Sequence, residues 1–185
     1  MADKVKEAML HNIIAIEMDF FTSMNTEEKV PPNTLPALQR MRWMTYVVLS
    51  PKTIGLLLRD WEEAKKVGRN TMIEKYALLD NLIEPIQENP IIDKIATQEK
   101  IWIDALAEDY PEALQGHDDN KGLFKRYMLC ELQTWSPETL ESYWEDVQRA
   151  VTEKRNMAEE RYDALYASLG KGSLKEVCQA AKHKK

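Results

Sequence analysis

Residues 50–79 read SPKTIGLLLRDWEEAKKVGRNTMIEKYALL, and residues 136–165 read SPETLESYWEDVQRAVTEKRNMAEERYDAL. The second string follows the first at a constant spacing of 86 residues, without a gap. In this register Arg40/Arg126, Ser50/Ser136, Pro51/Pro137, Thr53/Thr139, Asp60/Asp146 and Ala64/Ala150 coincide. So do Arg69/Arg155, Asn70/Asn156, Glu74/Glu160, Tyr76/Tyr162 and Leu79/Leu165. Each string opens on Ser-Pro, a helix-start signal: Ser caps free N–H groups, and Pro lacks only a donor that would be orphaned there. Apolar residues then recur every three or four positions, as on one face of a helix. The echo therefore predicts a duplicated helical unit arranged about a pseudo-two-fold axis. Two units are too few for a solenoid, which needs three or more repeats.

Outward from the echo, the same spacing predicts a helix from about Asp3 to Met24, a Pro-rich break, and a second helix from about Pro36 to Leu49 capped by Asn33 or Thr34. Gly68 is placed to end the third helix in the left-handed conformation, and Asn70 to cap a fourth, which Pro85 and Pro90 stop. In the second half a helix ends at Pro111, the loop EALQGHDDNKG follows, and another helix meets Ser136. Lys154 stands where the first unit has Gly68, and a side chain disfavours the left-handed region. The second string is accordingly expected to continue as one long or kinked helix to Gly170, followed by a short helix that Ser173 caps. No stretch alternates as a strand does. The expected fold is an all-α helical bundle: one domain over 1–185, repeat units at about 3–88 and 91–170, and a last helix at 173–182.

A chain of 185 residues with net charge −6 is long enough for a sizeable core and poorly suited to neutralising phosphates. No apolar run approaches the roughly 18–20 residues that cross a bilayer. The N-terminus lacks the layout of a secretory signal, and Cys130 and Cys178 have no metal-ligand spacing. These features predict a cytoplasmic protein, with no nucleic-acid or membrane partner.

Polar residues on apolar faces narrow the functional candidates. Glu17 is surrounded at helical spacing by Leu10, Ile13, Ile14, Phe20, Phe21 and Met24. Glu131 stands among Phe124, Tyr127, Met128 and Trp135. A lone buried carboxylate costs several kcal/mol, so each needs a partner or a proton. In the register of the echo Thr45 is the counterpart of Glu131, on a face with Leu38, Met41, Val48 and Leu49 that Arg42 flanks, and Arg69 and Arg155 fall by helical spacing on the faces of Tyr76 and Tyr162. Aligning the first helices sets Glu17 opposite Gln98. The candidate ligand-binding set is therefore Glu17, Arg42, Arg69, Tyr76, Glu131, Arg155 and Tyr162. Asn70, Glu74, Gln98, Asn156 and Glu160 form a surrounding layer, with Asn70 and Asn156 also fitting as helix caps. His11, His117 and His183 have no Glu three residues before them, so the usual di-metal bundle motif is absent and no metal is assigned. No phosphate-binding loop, dinucleotide motif or catalytic triad is present, and no cofactor is assigned.

The blocks IIAIEMDFF, LQRMRW, GRNTMIEKYALL, IATQEKIW and FKRYMLCELQTWSPETLESY resemble, in order, the bacterial domain-of-unknown-function family numbered 4125. In that pattern a Glu-Trp opens the first block, whereas Glu17 is followed here by Met18. The resemblance points to Glu17, Arg42, Gly68, Arg69, Asn70, Glu74, Tyr76 and Glu131, and implies no particular activity. Fusion of some members to a nucleotidyltransferase-like domain implies an accessory role. Two functions follow from the sequence. One is a helical domain, an enzyme or a simple binder, that takes a small polar or anionic ligand in a core pocket lined by Glu, Arg and Tyr. The other is a non-catalytic interaction or accessory module for a protein partner, whose buried charges are structural.

Overall fold

A computed structural model describes residues 2–24, 34–112 and 122–182. The described residues form helices and no strands: α1 (Ala2–Thr22), α2 (Leu35–Tyr46), α3 (Pro51–Lys66), α4 (Thr71–Leu79), α5 (Pro90–Asp109), α6 (Leu123–Leu132), α7 (Pro137–Thr152), α8 (Met157–Ser168) and α9 (Leu174–Lys182). Asn33, His117, His183 and most of the two predicted loops lie outside the described residues. Thr34 precedes α2 but makes no side-chain capping bond.

The Ser-Pro starts form as the sequence requires. Ser50 Oγ accepts from Thr53 N and Ser136 Oγ from Thr139 N, both at 3.2 Å. Behind these caps, α3 buries Thr53, Ile54, Leu57, Trp61 and Ala64, a stripe at spacings of one to four. α7 buries Thr139, Leu140, Tyr143, Val147 and Ala150, together with Ser142 and Asp146. The two stripes face each other, and each helix caps the other's start. Asp146 Oδ2 accepts from Ser50 N (2.9 Å) and Thr53 Oγ1 (2.7 Å). Asp60 Oδ2 accepts from Ser136 N (3.0 Å) and Thr139 Oγ1 (2.5 Å). The echoed Ser, Thr and Asp are thus the parts of a reciprocal clamp.

The helix pairs come in matched sets. α1 packs on α2, α3 and α4, as α5 packs on α6, α7 and α8. Across the halves, α3 meets α7, α2 meets α8 and α4 meets α6. Trp135, in the turn before α7, occupies the middle of this arrangement. Its ring centroid lies 6.1 Å from Tyr46, 6.4 Å from Trp61 and 5.5 Å from Tyr143.

Two boundaries differ from expectation. The second string does not run on to Gly170: the chain breaks between α7 and α8, with Lys154 at φ 56°. The break is a six-residue helix-ending turn, in which Arg155 N donates to Ala150 O (2.8 Å) and Lys154 N to Val151 O (3.1 Å). The same pair of bonds closes the Gly68 turn, from Arg69 N to Ala64 O (2.8 Å) and Gly68 N to Lys65 O (3.2 Å). Satisfying orphan carbonyls and docking α8 outweigh the strain of a left-handed lysine. α4 also ends earlier than its prolines suggest, at Leu79. Asn81 takes φ 55° there, and Leu82 N bonds Ala77 O at 2.8 Å.

Residue 68 therefore isolates the cost of backbone conformation, because a Cβ added there meets no heavy atom within 4 Å. Gly68→Ala is expected to lose about 1 kcal/mol, a fall of about 2–4 °C in Tm, whereas Lys154→Gly raises Tm. Calorimetry of both variants checks the pair.

Candidate functional site

The residues that bury charge come from helices brought together by the α1–α2, α4–α6 and α5–α8 contacts. Glu17 projects from α1, Arg42 and Tyr46 from α2, Lys75 from α4, and Tyr127 and Glu131 from α6. The Arg42 guanidinium is held along two edges. Nε and Nη2 donate to Glu17 Oε2 and Oε1, each at 2.8 Å. Nη1 and Nη2 donate to Glu131 Oε2 (3.1 Å) and Oε1 (2.6 Å). Nη2 also contacts the Tyr46 hydroxyl, which itself donates to Glu17 Oε1 at 2.5 Å. Trp61 Nε1 donates to the same Glu17 oxygen at 3.2 Å. Lys75 Nζ lies 3.4 Å from Glu131 Oε2, donates to Tyr127 Oη at 2.7 Å, and sits 4.5 Å and 5.1 Å from the Tyr127 and Tyr76 ring centroids. Two carboxylates and two cations are thus enclosed together, with Glu17 1 % and Lys75 2 % exposed.

A second cluster lies in the other half. Arg161 of α8 grips Glu99 of α5 through Nη1–Oε2 (2.5 Å) and Nη2–Oε1 (2.8 Å). Tyr143 of α7 donates to Glu99 Oε1 at 2.5 Å, and Arg161 Nε reaches Thr45 O of α2 at 3.2 Å. Trp135 lies between the clusters, touching Tyr46 of the first and Tyr143 of the second.

Burial by itself would raise the pKa of Glu131, but Arg42 and then Lys75 override it and hold the carboxyl at about 2. Burial opposes the charge on Arg42 and on Arg161. Glu131 and Glu17 around the first, and Glu99 and the Tyr143 hydroxyl around the second, more than offset it, so both guanidiniums hold their protons more tightly than usual. Tyr46 and Tyr143 are pushed well above the usual phenol range, chiefly by burial, and act as donors to their carboxylates.

Of the predicted residues, Glu17, Arg42 and Glu131 converge. Tyr76 reaches the edge of the cluster, through its ring beside Lys75 and a side-chain hydrogen bond with Tyr127, and Tyr162 is half-buried against Tyr166. Arg69 and Arg155 do not join. Their side chains are 44 % and 40 % exposed and fork onto Glu74 (2.7 and 2.9 Å) and Glu160 (2.7 and 3.0 Å). Helical spacing placed them on the Tyr76 and Tyr162 faces, but they lie outside α4 and α8, in the turns, where that spacing does not apply.

Asn70 and Asn156 cap α4 and α8, and each also donates backwards: Asn70 Nδ2 to Phe20 O (2.7 Å) and Asn156 Nδ2 to Trp102 O (3.0 Å). That equivalence pairs Glu17 with Glu99. Gln98, one position away, is only half-buried. The expected Glu17–Gln98 correspondence is therefore one residue out of register.

Sequence reasoning missed Lys75, Glu99, Tyr143 and Arg161, and gave no role to Tyr46. One signal was present: the position between the echoed Glu and Tyr is basic in both strings, Lys75 and Arg161. Arg42 fills the space between Glu17 and Glu131. Among the described residues no three His, Cys, Asp or Glu side chains converge as metal ligands. Clefts of about 390, 210, 300 and 210 Å³ open on the surface, and their walls include none of Glu17, Arg42 and Glu131.

The family model for "Protein of unknown function (DUF4125)" matches residues 7–179. The chain belongs to this family. No curated protein and no solved structure matches it. Both ion clusters of this DUF4125 chain fall inside the matched span.

Arg42→Ala would leave two carboxylates buried with Lys75 as their remaining cation, an expected loss of about 3–5 kcal/mol in urea unfolding at pH 7. Glu131 stabilises the fold fully above its unfolded pKa near 4.5, and this contribution disappears as pH falls towards about 2. The stability gap between wild type and Glu131→Gln is expected to narrow across that window, as acid titrations of both proteins would register.

Proposed function

We propose that this protein is a non-catalytic interaction or accessory module, whose buried charges lock together two tandem-duplicated helical units related by a pseudo-two-fold axis. One observation carries the reading: every carboxylate oxygen of Glu17 and Glu131 already accepts a hydrogen bond from a protein donor. A small polar or anionic ligand between them would have to displace Arg42, which is held on two edges. The reciprocal Asp60 and Asp146 caps, the twin Asn70 and Asn156 ties and the matched helix pairs support the duplication. The clusters tie all four of α1, α2, α4 and α6, and also α5, α7 and α8, which supports treating residues 1–185 as one domain. The buried Cys130 thiol fits a reducing, cytoplasmic setting. No helix among the described residues is long and apolar enough to cross a membrane.

On this reading the charges can be exchanged for shape. The variant Glu17→Leu/Arg42→Met/Tyr46→Phe/Lys75→Met/Glu131→Leu, which removes Lys75 and the Tyr46 hydroxyl along with their partners, is expected to fold and to recover most of the stability lost by Arg42→Ala, because well-packed apolar residues often replace whole buried ion groups at little cost. Native mass spectrometry of the wild type should show the bare chain mass. A co-purified small molecule retained by the wild type and absent from Glu17→Gln would reverse the reading in favour of a core ligand site.

A further inference from the structure

After α8 the chain turns back as α9, whose Leu174 and Cys178 are buried against the bundle. After α4 no helix follows: residues 80–89 run without one, and the outward side of α4 keeps Ile73 exposed. This segment reads DNLIEPIQEN and exposes Leu82 (74 %), Ile83 and Ile86. A cleft of about 390 Å³ opens beside Val67, Ile86, Gln87 and Trp135. Another of about 210 Å³ opens beside Ile83, Pro85, Leu129 and Cys130. Gln133 lines both clefts, so the segment forms a ridge between two sockets.

The ridge is also held in place. Gln87 N donates to Gln133 Oε1 (2.9 Å), and Gln87 Nε2 to the carbonyls of Gln133 (3.0 Å) and Trp135 (2.8 Å). Arg126 Nη2 donates to Leu79 O and to Asn81 Oδ1 at the ridge's start. Its apolar exposure is therefore a fixed feature of the surface. Asp80, Glu84 and Glu88 punctuate the apolar residues, and their carboxylates pair with no cation among the described residues.

We propose that the ridge formed by residues 80–88 and its two flanking clefts dock a basic amphipathic helix of a partner protein. Its apolar side chains would enter the two clefts and its Lys or Arg residues would meet Asp80, Glu84 and Glu88. In the other half α8 is covered by α9, whereas residues 80–89 after α4 carry no helix. The charge pattern selects a basic partner over a second copy of this chain, which carries −6. The proposal rests on the interaction-module reading and names the surface through which it works.

The probe is a synthetic helix of about fourteen residues with a leucine face and a lysine face, beside a control peptide carrying Glu in place of Lys. Isothermal titration of the full chain is expected to show salt-sensitive binding of the basic peptide and none of the acidic one. Ile83→Asn/Ile86→Asn and Glu84→Lys/Glu88→Lys should each weaken binding at least about tenfold, the scale of losing a central anchor. Glu7→Lys/Glu108→Lys makes the same charge change elsewhere and should stay within about twofold of wild type. Equal binding by wild type and both ridge variants would move the interaction to another surface and overturn this one. Absence of binding, or sedimentation showing wild-type dimers that the ridge variants abolish, would overturn the basic-partner assignment. None of these outcomes depends on the buried clusters, whose role is decided by the stability and mass measurements.

Discussion

The fork of Arg42 between Glu17 and Glu131 is the constraint on which the rest of the bundle depends. A guanidinium and two carboxylates leave water here at a cost of several kcal/mol each, and only close pairing offsets it. The required geometry fixes α1, α2 and α6 relative to one another within hydrogen-bond tolerance, and Lys75 adds α4. A slip of any of these helices by one residue would strand a charge. Apolar packing alone tolerates such slips far better, since leucine and isoleucine faces interchange at modest cost.

Tyr46 and Trp135 carry that constraint into the second half. Tyr46 donates to Glu17 and packs against Trp135, which stacks on Tyr143, the donor to Glu99. α2 supplies Arg42 to the first cluster and the Thr45 carbonyl to the second. The two clusters are therefore neighbours within one aromatic core. Their surroundings are closed by protein donors, whereas residues 80–88 hold apolar groups in the open at the surface.

Much of the local structure was legible in the chain. Ser-Pro at 50 and 136 and Asn at 70 and 156 are caps because their side chains satisfy N–H groups a few atoms away, a relation that sequence spacing determines. The inward positions of Glu17 and Glu131 were legible for the same reason, since helical periodicity places both on apolar faces. Arg69 and Arg155 were misplaced where that periodicity was carried across a turn. Lys75 and Arg161 were hidden between two echoed residues, because a basic residue beside an acidic one reads as a solvated surface until the opposing helix is known. Glu99 was hidden by one residue of register, which no turn or cap near it could reveal.

The sequence by itself determined the helical character of the chain, the Ser-Pro and Asn caps, the echo at 86 residues and the two carboxylates that needed partners. These depend on interactions among residues within a few positions of one another. Only the tertiary structure decided which cations answer those carboxylates, that Asp60 and Asp146 cap each other's helices, and that Lys154 accepts a left-handed turn. Each of those outcomes is set by groups brought together from separate helices, where desolvation makes one pairing strongly preferred and a one-dimensional pattern does not specify it.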